Sequence, residues 1–370
     1  MKLKLGLIFG GRSGEHEVSL QSAYSIANTV DRAKYELFLI AVDKEGNWYL
    51  ADERDYLNNT DDPSNINLNV NKEQQVALVP VNNSNRLIRL DDGRELATLD
   101  VVFPIIHGTY GEDGALQGYM ALLNLPCVGA DVLGSAVGMD KLVAKELLLR
   151  AGIHVAKYIL VEQNSSIDTV VNRSEKELGF PVFVKPACSG SSVGVYKAGN
   201  SKELKDAVQK ALRFDRRILI EEVVNGREIE CAVLGNEGLT ASVPGEIIPR
   251  HAFYSYEAKY IDAEGAQLDM PAKIPENITR KVREIAKKAY KALSCSGMAR
   301  ADMFLKPDGT IVMNEINTLP GFTKISMYPK LMELSGVPYK ELIDRLVGLA
   351  IERHRQQEQF LQNVLGEKAY

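Results

Sequence analysis

The segment ARADMFLKPDGTIVMNEINT, Ala299 to Thr318, constrains the fold more than any other part of this 370-residue chain. Two apolar runs flank the turn cluster Pro307-Asp308-Gly309-Thr310, so the segment reads as an antiparallel hairpin. With those four residues as the loop, Arg300 lies opposite Asn317, Asp302 opposite Glu315 and Phe304 opposite Met313. Strand alternation then sends Arg300, Asp302, Glu315 and Asn317 to one face. The other face carries Ala299, Ala301, Met303, Leu305, Val312 and Ile316, with Asn314 as its only polar exception. Two carboxylates, an amide oxygen and a guanidinium on one sheet face suit a hard divalent cation beside an anion. The competing reading is a solvated face with an Arg–carboxylate pair, and a one-residue slip in register would scatter the cluster.

A chain this long exceeds one ordinary core, so two or three domains of roughly 100–150 residues are expected. Its net charge of −5 leaves no basic stripe to displace counterions, which argues against nucleic acid as a partner. Cys127, Cys188, Cys231 and Cys295 are widely spaced with no Cys-x-x-Cys, so free thiols in a reducing compartment fit better than a disulfide frame. The start, MKLKLGLIFGG, breaks at glycine after Phe9 and lacks a small-residue cleavage site; it reads as a strand, not a signal peptide. No apolar run approaches the ~18 residues a membrane span needs. A soluble cytoplasmic protein is expected.

The first region reads as α/β: strand Leu3–Phe9, a glycine turn, a helix with Leu20, Ala23, Ile26 and Val30 at helical spacing, and strands Glu36–Val42 and Asp100–Ile106. Asn58–Asn85, rich in Asn, Asp and Ser, reads as an irregular insertion, and Asn124–Gly129 as a short closing strand. A second unit begins near Val137, with helix Asp140–Arg150, strands Ala156–Val161, Pro181–Lys185, Gly194–Lys197 and Arg217–Val224, and helix Lys202–Leu212. The third holds strand Glu228–Leu234, helix Thr279–Leu293, the hairpin and a C-terminal helix carrying Leu342, Leu346 and Leu349. Helices segregated from antiparallel hairpins suggest α+β for the last two units.

Other segments carry weaker signals. In KPACSGSSVGVY, a strand ends on Lys185 and six of the eight residues from Ala187 to Gly194 are Gly, Ser or Ala. Such a loop can present backbone N–H groups to phosphate oxygens; the alternative is a plain hairpin turn. FGGRSGEHEVSL places glycines between a strand and a helix but lacks G-x-G-x-x-G, and Glu15 there could simply favour the helix dipole. His16 and Glu17 do not form H-E-x-x-H, so zinc is not expected. HGTYGEDGALQG follows a strand, where α/β sheets bind ligands, although a loop histidine such as His107 is more often a surface residue. Lys141 opens a helix, an unfavourable place for a cation unless an anion sits nearby. FYSYEAKY, Phe253–Tyr260, reads either as a mobile loop closing over a site or as an aromatic cluster.

Taken in order, GRSGEHEVS, HGTYGEDGALQG, GMDK, VKPACSGSSVGV, YEAKY, ARADMF and NEINTLPGFT resemble the D-alanine–D-alanine ligases of the ATP-grasp superfamily. The resemblance covers most of the chain. It implies an α/β N-terminal substrate domain, residues 1–136, followed by two α+β domains forming an ATP-grasp, residues 137–224 and 225–370. The last would carry the lid loop and the metal-binding hairpin. It further implies ATP as co-substrate, two magnesium ions with manganese as a substitute, D-alanine as substrate and a homodimer. Peptidoglycan synthesis would be the purpose.

By the same resemblance, Lys141, Lys185, Glu221, Glu222, Val223, Val224, Glu228 and Lys259 match ATP contacts, and Asp302, Glu315 and Asn317 match the magnesium ligands. Where many members have Lys then Trp, this chain has Glu222 and Val223, a departure that questions side-chain detail more than ATP use. Glu15 and His107 match residues near the first D-alanine, Arg300 the arginine at the reacting carboxylate, and Ser326 and Met327 the positions receiving the second carboxylate. Glu15, Ser191 and Tyr260 match a hydrogen-bonded trio that links three domains when the lid closes. Tyr260 looks like the dipeptide-forming type; formation of D-alanyl-D-lactate is the close alternative. A nucleotide binder without turnover, or another ATP-grasp ligase, are the more distant ones.

Overall fold

The computed structural model describes residues 2–81, 84–190, 193–249 and 266–367. In its first sheet, Leu3–Gly10 runs parallel to Tyr35–Val42 on one side and to Val101–Pro104 on the other, with Trp48–Ala51 antiparallel at the edge. Leu3–Gly10 is almost continuously apolar because both faces of it are covered. Leu5, Leu7 and Phe9 pack with Leu20, Ala23 and Ile26 of the helix His16–Thr29. Ile8 packs on the opposite side with Ile40, Val102 and Met120. At the strand's end Gly10 takes φ +90°, and a Cβ there would lie 2.2 Å from the carbonyl oxygen of Val42. Only glycine permits the chain to turn so tightly into the helix.

The second sheet is antiparallel, in the order Tyr158–Glu162, Arg217–Glu222, Val182–Pro186, Tyr196–Ala198. Helices Ile167–Glu177 and Ser201–Ala211 cover it through Val170, Val171, Leu204 and Val208. In the third, six-stranded sheet, Met298–Leu305 lies between Arg227–Leu234 and Ile311–Asn317. One face of this sheet packs on helix Glu276–Ala292. The other, through Ala232 and Leu234, shares a core with the first sheet and with helices Met327–Leu334 and Tyr339–Glu367. The N- and C-terminal parts of the chain are therefore welded by one apolar cluster.

Three expectations change. Residues 58–85 are not simply irregular: Leu57–Asn58 pairs with Asn67–Leu68, and Val76–Val81, Ser84–Arg89 and Glu95–Thr98 form a three-stranded antiparallel sheet. Buried Val76, Leu78, Leu87 and Ala97 hold that sheet on the core, an alternation masked by the polar residues around it. Asn124–Gly129 contributes one bridge, Val102 to Cys127, and no strand. The hairpin has the expected pairs Arg300–Asn317 and Asp302–Glu315, but a bulge follows, and Met303, not Phe304, lies opposite Met313. Ile311 and Met313 consequently join Ala299, Ala301, Met303, Leu305 and Ile316 in the core, and Val312 falls outside that cluster. All four cysteines are free thiols, three of them buried. Among the described residues no helix is long and apolar enough to cross a membrane.

Phe322 is fully buried where the parts meet, with ring centroids 5.6 Å from Phe103, 5.7 Å from Tyr328 and 5.9 Å from Tyr339. Phe322→Ala is expected to cost about 3–5 kcal/mol, read as a lowered denaturation midpoint.

Candidate functional site

The hairpin presents its polar face as a connected ion-pair network. Arg300 donates from Nε to Asp302 Oδ1 at 2.8 Å and from Nη2 to Oδ2 at 2.7 Å, a two-pronged contact. Its Nε also lies 3.0 Å from Glu230 Oε2. Glu230 sits directly across the ladder from Asp302, as Glu315 does on the other side. Three carboxylates thus stand in a row across three strands, and two of them, Glu230 and Asp302, pair with Arg300. Asn317 shares this face, and its Oδ1 accepts the Leu319 N–H at 3.0 Å.

The bulge adds a residue that regular alternation hides. Asn314 is the extra residue of its strand, opposite no partner, and its Oδ1 lies 3.4 Å from Lys185 Nζ. A bulge re-aims one side chain without breaking the flanking register. The polar exception on an apolar face was the one signal of it in the sequence.

Opposite the hairpin, Glu221 is buried between two lysines. Lys185 Nζ donates to its Oε2 at 2.8 Å, and Lys145 Nζ lies 3.2 Å from its Oε1. Burial pushes the Glu221 carboxyl up, but Lys185 and Lys145 outweigh it and hold the group at about 2, below the ordinary 4.5. Lys145 is displaced downward, burial again being the main cause and Glu221 opposing it. For Lys185, Glu221 and the carboxylates of Glu315 and Glu228 overcome burial and raise it.

Helix Lys141–Arg150 is capped by Asp140, whose side chain accepts from the N–H groups of Leu142 and Val143 and pairs with Arg217. This cap fixes Lys141 at the mouth of the Gly/Ser loop. Its backbone N–H donates to Ala187 O at 2.9 Å and its Nζ to Ser189 O at 2.5 Å. The loop does close a hairpin, between Val182–Pro186 and Tyr196–Ala198, and it also lies against the site.

Glu15 reaches this place from the first sheet. Its N–H is held by Ser13 Oγ at 3.0 Å, and Ser13 donates to His107 O at 2.6 Å. A Cβ on Gly108 would lie 2.6 Å from Glu15 Oε2, and one on Gly190 3.1 Å from it, so two loops close onto this carboxylate because both positions are glycine. Glu15, Lys141, Lys145, Ser189, Gly190, Arg300, Asn314, Glu315 and Asn317 line a common cleft.

The remaining candidates are placed differently. His107 is buried, with Nδ1 3.1 Å from Leu319 O and Nε2 3.1 Å from Ser22 Oγ. The Leu319 carbonyl can only accept, so Nδ1–H donates to it, and the two contacts tie the first sheet to the segment after the hairpin. Ser326 Oγ accepts the Thr323 N–H at 3.0 Å and caps no helical N–H by its side chain. The side chain of Met327 is in the core, so only its backbone, at the start of helix Met327–Leu334, can meet a carboxylate. Glu222 Oε1 accepts the Lys157 N–H at 2.9 Å, while Val223 and Val224 lie just past the strand Arg217–Glu222. Glu228 pairs with Phe304 across the ladder, two residues from Glu230 on the same face. Ser191, Lys259 and Tyr260 lie outside the described residues.

The comparisons with known proteins agree with one another. A family model described as the D-ala D-ala ligase N-terminus matches residues 4–130, and one described as the D-ala D-ala ligase C-terminus matches 147–348. This chain belongs to the D-alanine–D-alanine ligase family. It is 52% identical over 359 residues to the D-alanine–D-alanine ligase of Oceanobacillus iheyensis, covering 97% of this chain and 98% of that one. With D-alanine–D-alanine ligase A of Escherichia coli K12 it shares 49% over 353 residues, 95% of this chain and 97% of the other. The D-alanine-D-alanine ligase structure from Coxiella burnetii superimposes with a TM-score of 0.88 at 38% identity, covering 100% of this chain and 99% of that one. The VanG D-Ala:D-Ser ligase of Enterococcus faecalis does so with 0.83 at 36%, covering 95% of this chain and 100% of the other.

For this family member the oxygen donors of the hairpin fit magnesium. Among the described residues no three His, Cys, Asp or Glu side chains gather into a ready-made metal cage. Magnesium is commonly held by one or two carboxylates together with substrate phosphates and water, which is the donor set Asp302, Glu315 and Asn317 provide. Sequence reasoning missed Glu230, Asn314 and Lys145. The first was legible as the alternate partner of Glu228 in REIECAVL, and the last as the residue one helical turn beyond Lys141.

Because the folded carboxyl of Glu221 is held below 4.5, its stabilisation is complete above that pH and drains away as pH falls toward 2. Glu221→Gln is expected to lose this acid-side slope and to be roughly 3–5 kcal/mol less stable at neutral pH, because two buried lysines lose their counter-charge. Denaturant midpoints from pH 7 down to pH 3 check both.

Proposed function

We propose that the chain is an ATP-dependent ligase that joins two D-alanine molecules into D-alanyl-D-alanine for peptidoglycan synthesis. The observation that carries this reading is a cleft in which Lys141, Lys145 and the loop at Ser189-Gly190 meet Arg300, Glu315 and Asn317. A polyanion and a carboxylate are what such a lining attracts. In the first step a carboxylate oxygen of one D-alanine attacks the γ-phosphorus of ATP, and ADP leaves. The amine of the second D-alanine then attacks the acyl carbon, loses a proton, and phosphate departs with the electrons of the broken C–O bond.

Each role assigned from sequence is carried forward as part of this proposal. Lys141 and Lys185 attract the phosphates, and Glu221, Glu222, Val223, Val224 and Glu228 border the nucleoside. Glu15 and His107 border the first D-alanine, His107 chiefly by fixing Leu319, and Ser326 with the Met327 N–H receives the second carboxylate. Arg300 stabilises the oxyanion of the tetrahedral intermediate. Asp302, Glu315 and Asn317 would hold magnesium, which when bound neutralises phosphate charge. Ser191, Lys259 and Tyr260 complete the proposal as the loop and lid positions that exclude water.

The ATP-grasp arrangement and the boundaries 1–136, 137–224 and 225–370 are proposed as well. Their support is that each stretch contains one of the three main sheets. A homodimer in the cytoplasm accompanies the family reading.

ADP formation is expected with D-alanine and magnesium, and not with L-alanine or without the metal; ADP release indifferent to D-alanine would sink the ligase reading. Offered D-alanine together with D-lactate or D-serine at neutral pH, the enzyme is expected to make mostly D-alanyl-D-alanine. Arg300→Lys keeps the charge beside Glu230 and Asp302 but loses the planar fork. It is expected to lower kcat by roughly 10²-fold with little change in thermal midpoint.

A further inference from the structure

We propose that Lys145 is a positioning residue: by taking one oxygen of Glu221 it keeps the charge of Lys185 uncancelled, so that the buried trio attracts phosphate. This rests on the ATP reading above. Lys145 follows Lys141 by one helical turn on helix Lys141–Arg150, lines the same cleft, and is only 2% exposed. Its ion-pair partner is Glu221 Oε1 at 3.2 Å, while Lys185 Nζ holds Oε2 at 2.8 Å. Two ammonium groups thus share one buried carboxylate, and the trio carries one net positive charge.

That surplus has no account in stability. A buried lysine beyond the one needed to balance Glu221 costs desolvation, and a Lys185–Glu221 pair alone would satisfy both charges. The neutral pair would, however, offer little to a polyanion, because Glu221 Oε2, 2.8 Å from Lys185 Nζ, offsets the charge of that ammonium at longer range. Glu315 faces both lysines and Glu228 faces Lys185, each a weaker attraction than Glu221. The Tyr158 ring lies 5.9 Å from Lys145 Nζ. Burial, and more weakly Lys185, displace Lys145 downward, while Glu221 and Glu315 favour its charged form. Lys145 therefore works through Glu221 and Lys185, whatever else it touches when nucleotide is bound.

The test is equilibrium binding of ATP and of adenosine, which lacks phosphate, to the full chain with magnesium. Lys145→Met is expected to weaken ATP at least about tenfold and to leave adenosine unchanged. Lys145→Arg is expected to bind both as the wild type does. The double variant Lys145→Met with Glu221→Gln removes a positive and a negative charge together, leaves Lys185 as the net cation, and is expected to recover most of the lost ATP affinity. Lys145→Met keeps the satisfied Lys185–Glu221 pair and is expected to fold, whereas the double variant leaves Lys185 without its counter-charge, so the Lys145→Met and Lys145→Arg arms decide the proposal if the double variant does not fold. Equal weakening of ATP and adenosine, no weakening at all, or a double variant as weak toward ATP as Lys145→Met would each assign Lys145 to packing and overturn the proposal. A wild-type protein that binds neither probe would instead overturn the ATP reading itself.

Discussion

The site hangs on one antiparallel ladder. Met298–Leu305 is paired on both sides, with Arg227–Leu234 and Ile311–Asn317, and that pairing alone puts Glu230, Arg300, Asp302, Glu315 and Asn317 on one face. The opposite face is pinned by Ala299, Ala301, Met303 and Met313 against helix Glu276–Ala292. Register is strongly specified when one face is buried, since a slip by one residue would drive every carboxylate into that core. Apolar packing on one side thus fixes the polar chemistry on the other. The bulge at Asn314 is the single departure, and it turns one more polar group toward Lys185.

Electrostatics then divide the cleft into two ends. At the hairpin, carboxylates outnumber the guanidinium that joins them, a surplus of negative charge suited to a cation. Across from it, two lysines outnumber Glu221, a surplus of positive charge suited to an anion. Opposite imbalances facing each other in a partly desolvated cleft suit a polyanion that arrives with a metal. The glycines at positions 108 and 190 let the Glu15 carboxylate come to the same place from a different sheet, since a Cβ there would lie 2.6 and 3.1 Å from its Oε2.

Much of this was legible in the residues. The hairpin announced itself through a turn cluster between alternating strands, and the four side chains of its polar face were read correctly up to the bulge. Strands buried on both sides, such as Leu3–Gly10, showed as continuous apolar runs. The stretch between residues 58 and 85 was harder, because its short strands bury few residues amid many Asn and Asp. His107 and Met327 illustrate a different difficulty. Each was singled out as a contact, yet the ring nitrogens of one are both engaged internally and the side chain of the other fills the core. A residue type does not reveal whether side chain or backbone is the part on offer.

The family was read from the resemblance of seven segments in order; local pattern and spacing by themselves determined many of the strands and helices of the three main sheets and the shared face of Arg300, Asp302, Glu315 and Asn317. Those properties follow from periodicity within one segment, which a chain carries wherever it folds. Only the tertiary structure decided that Lys145 and Lys185 share Glu221, that Glu230 completes the network around Arg300, and that Glu15 meets the loop at Gly190. Those contacts join residues from different sheets and helices, and desolvation in a common cleft, not sequence distance, sets the strength of the charges that meet there.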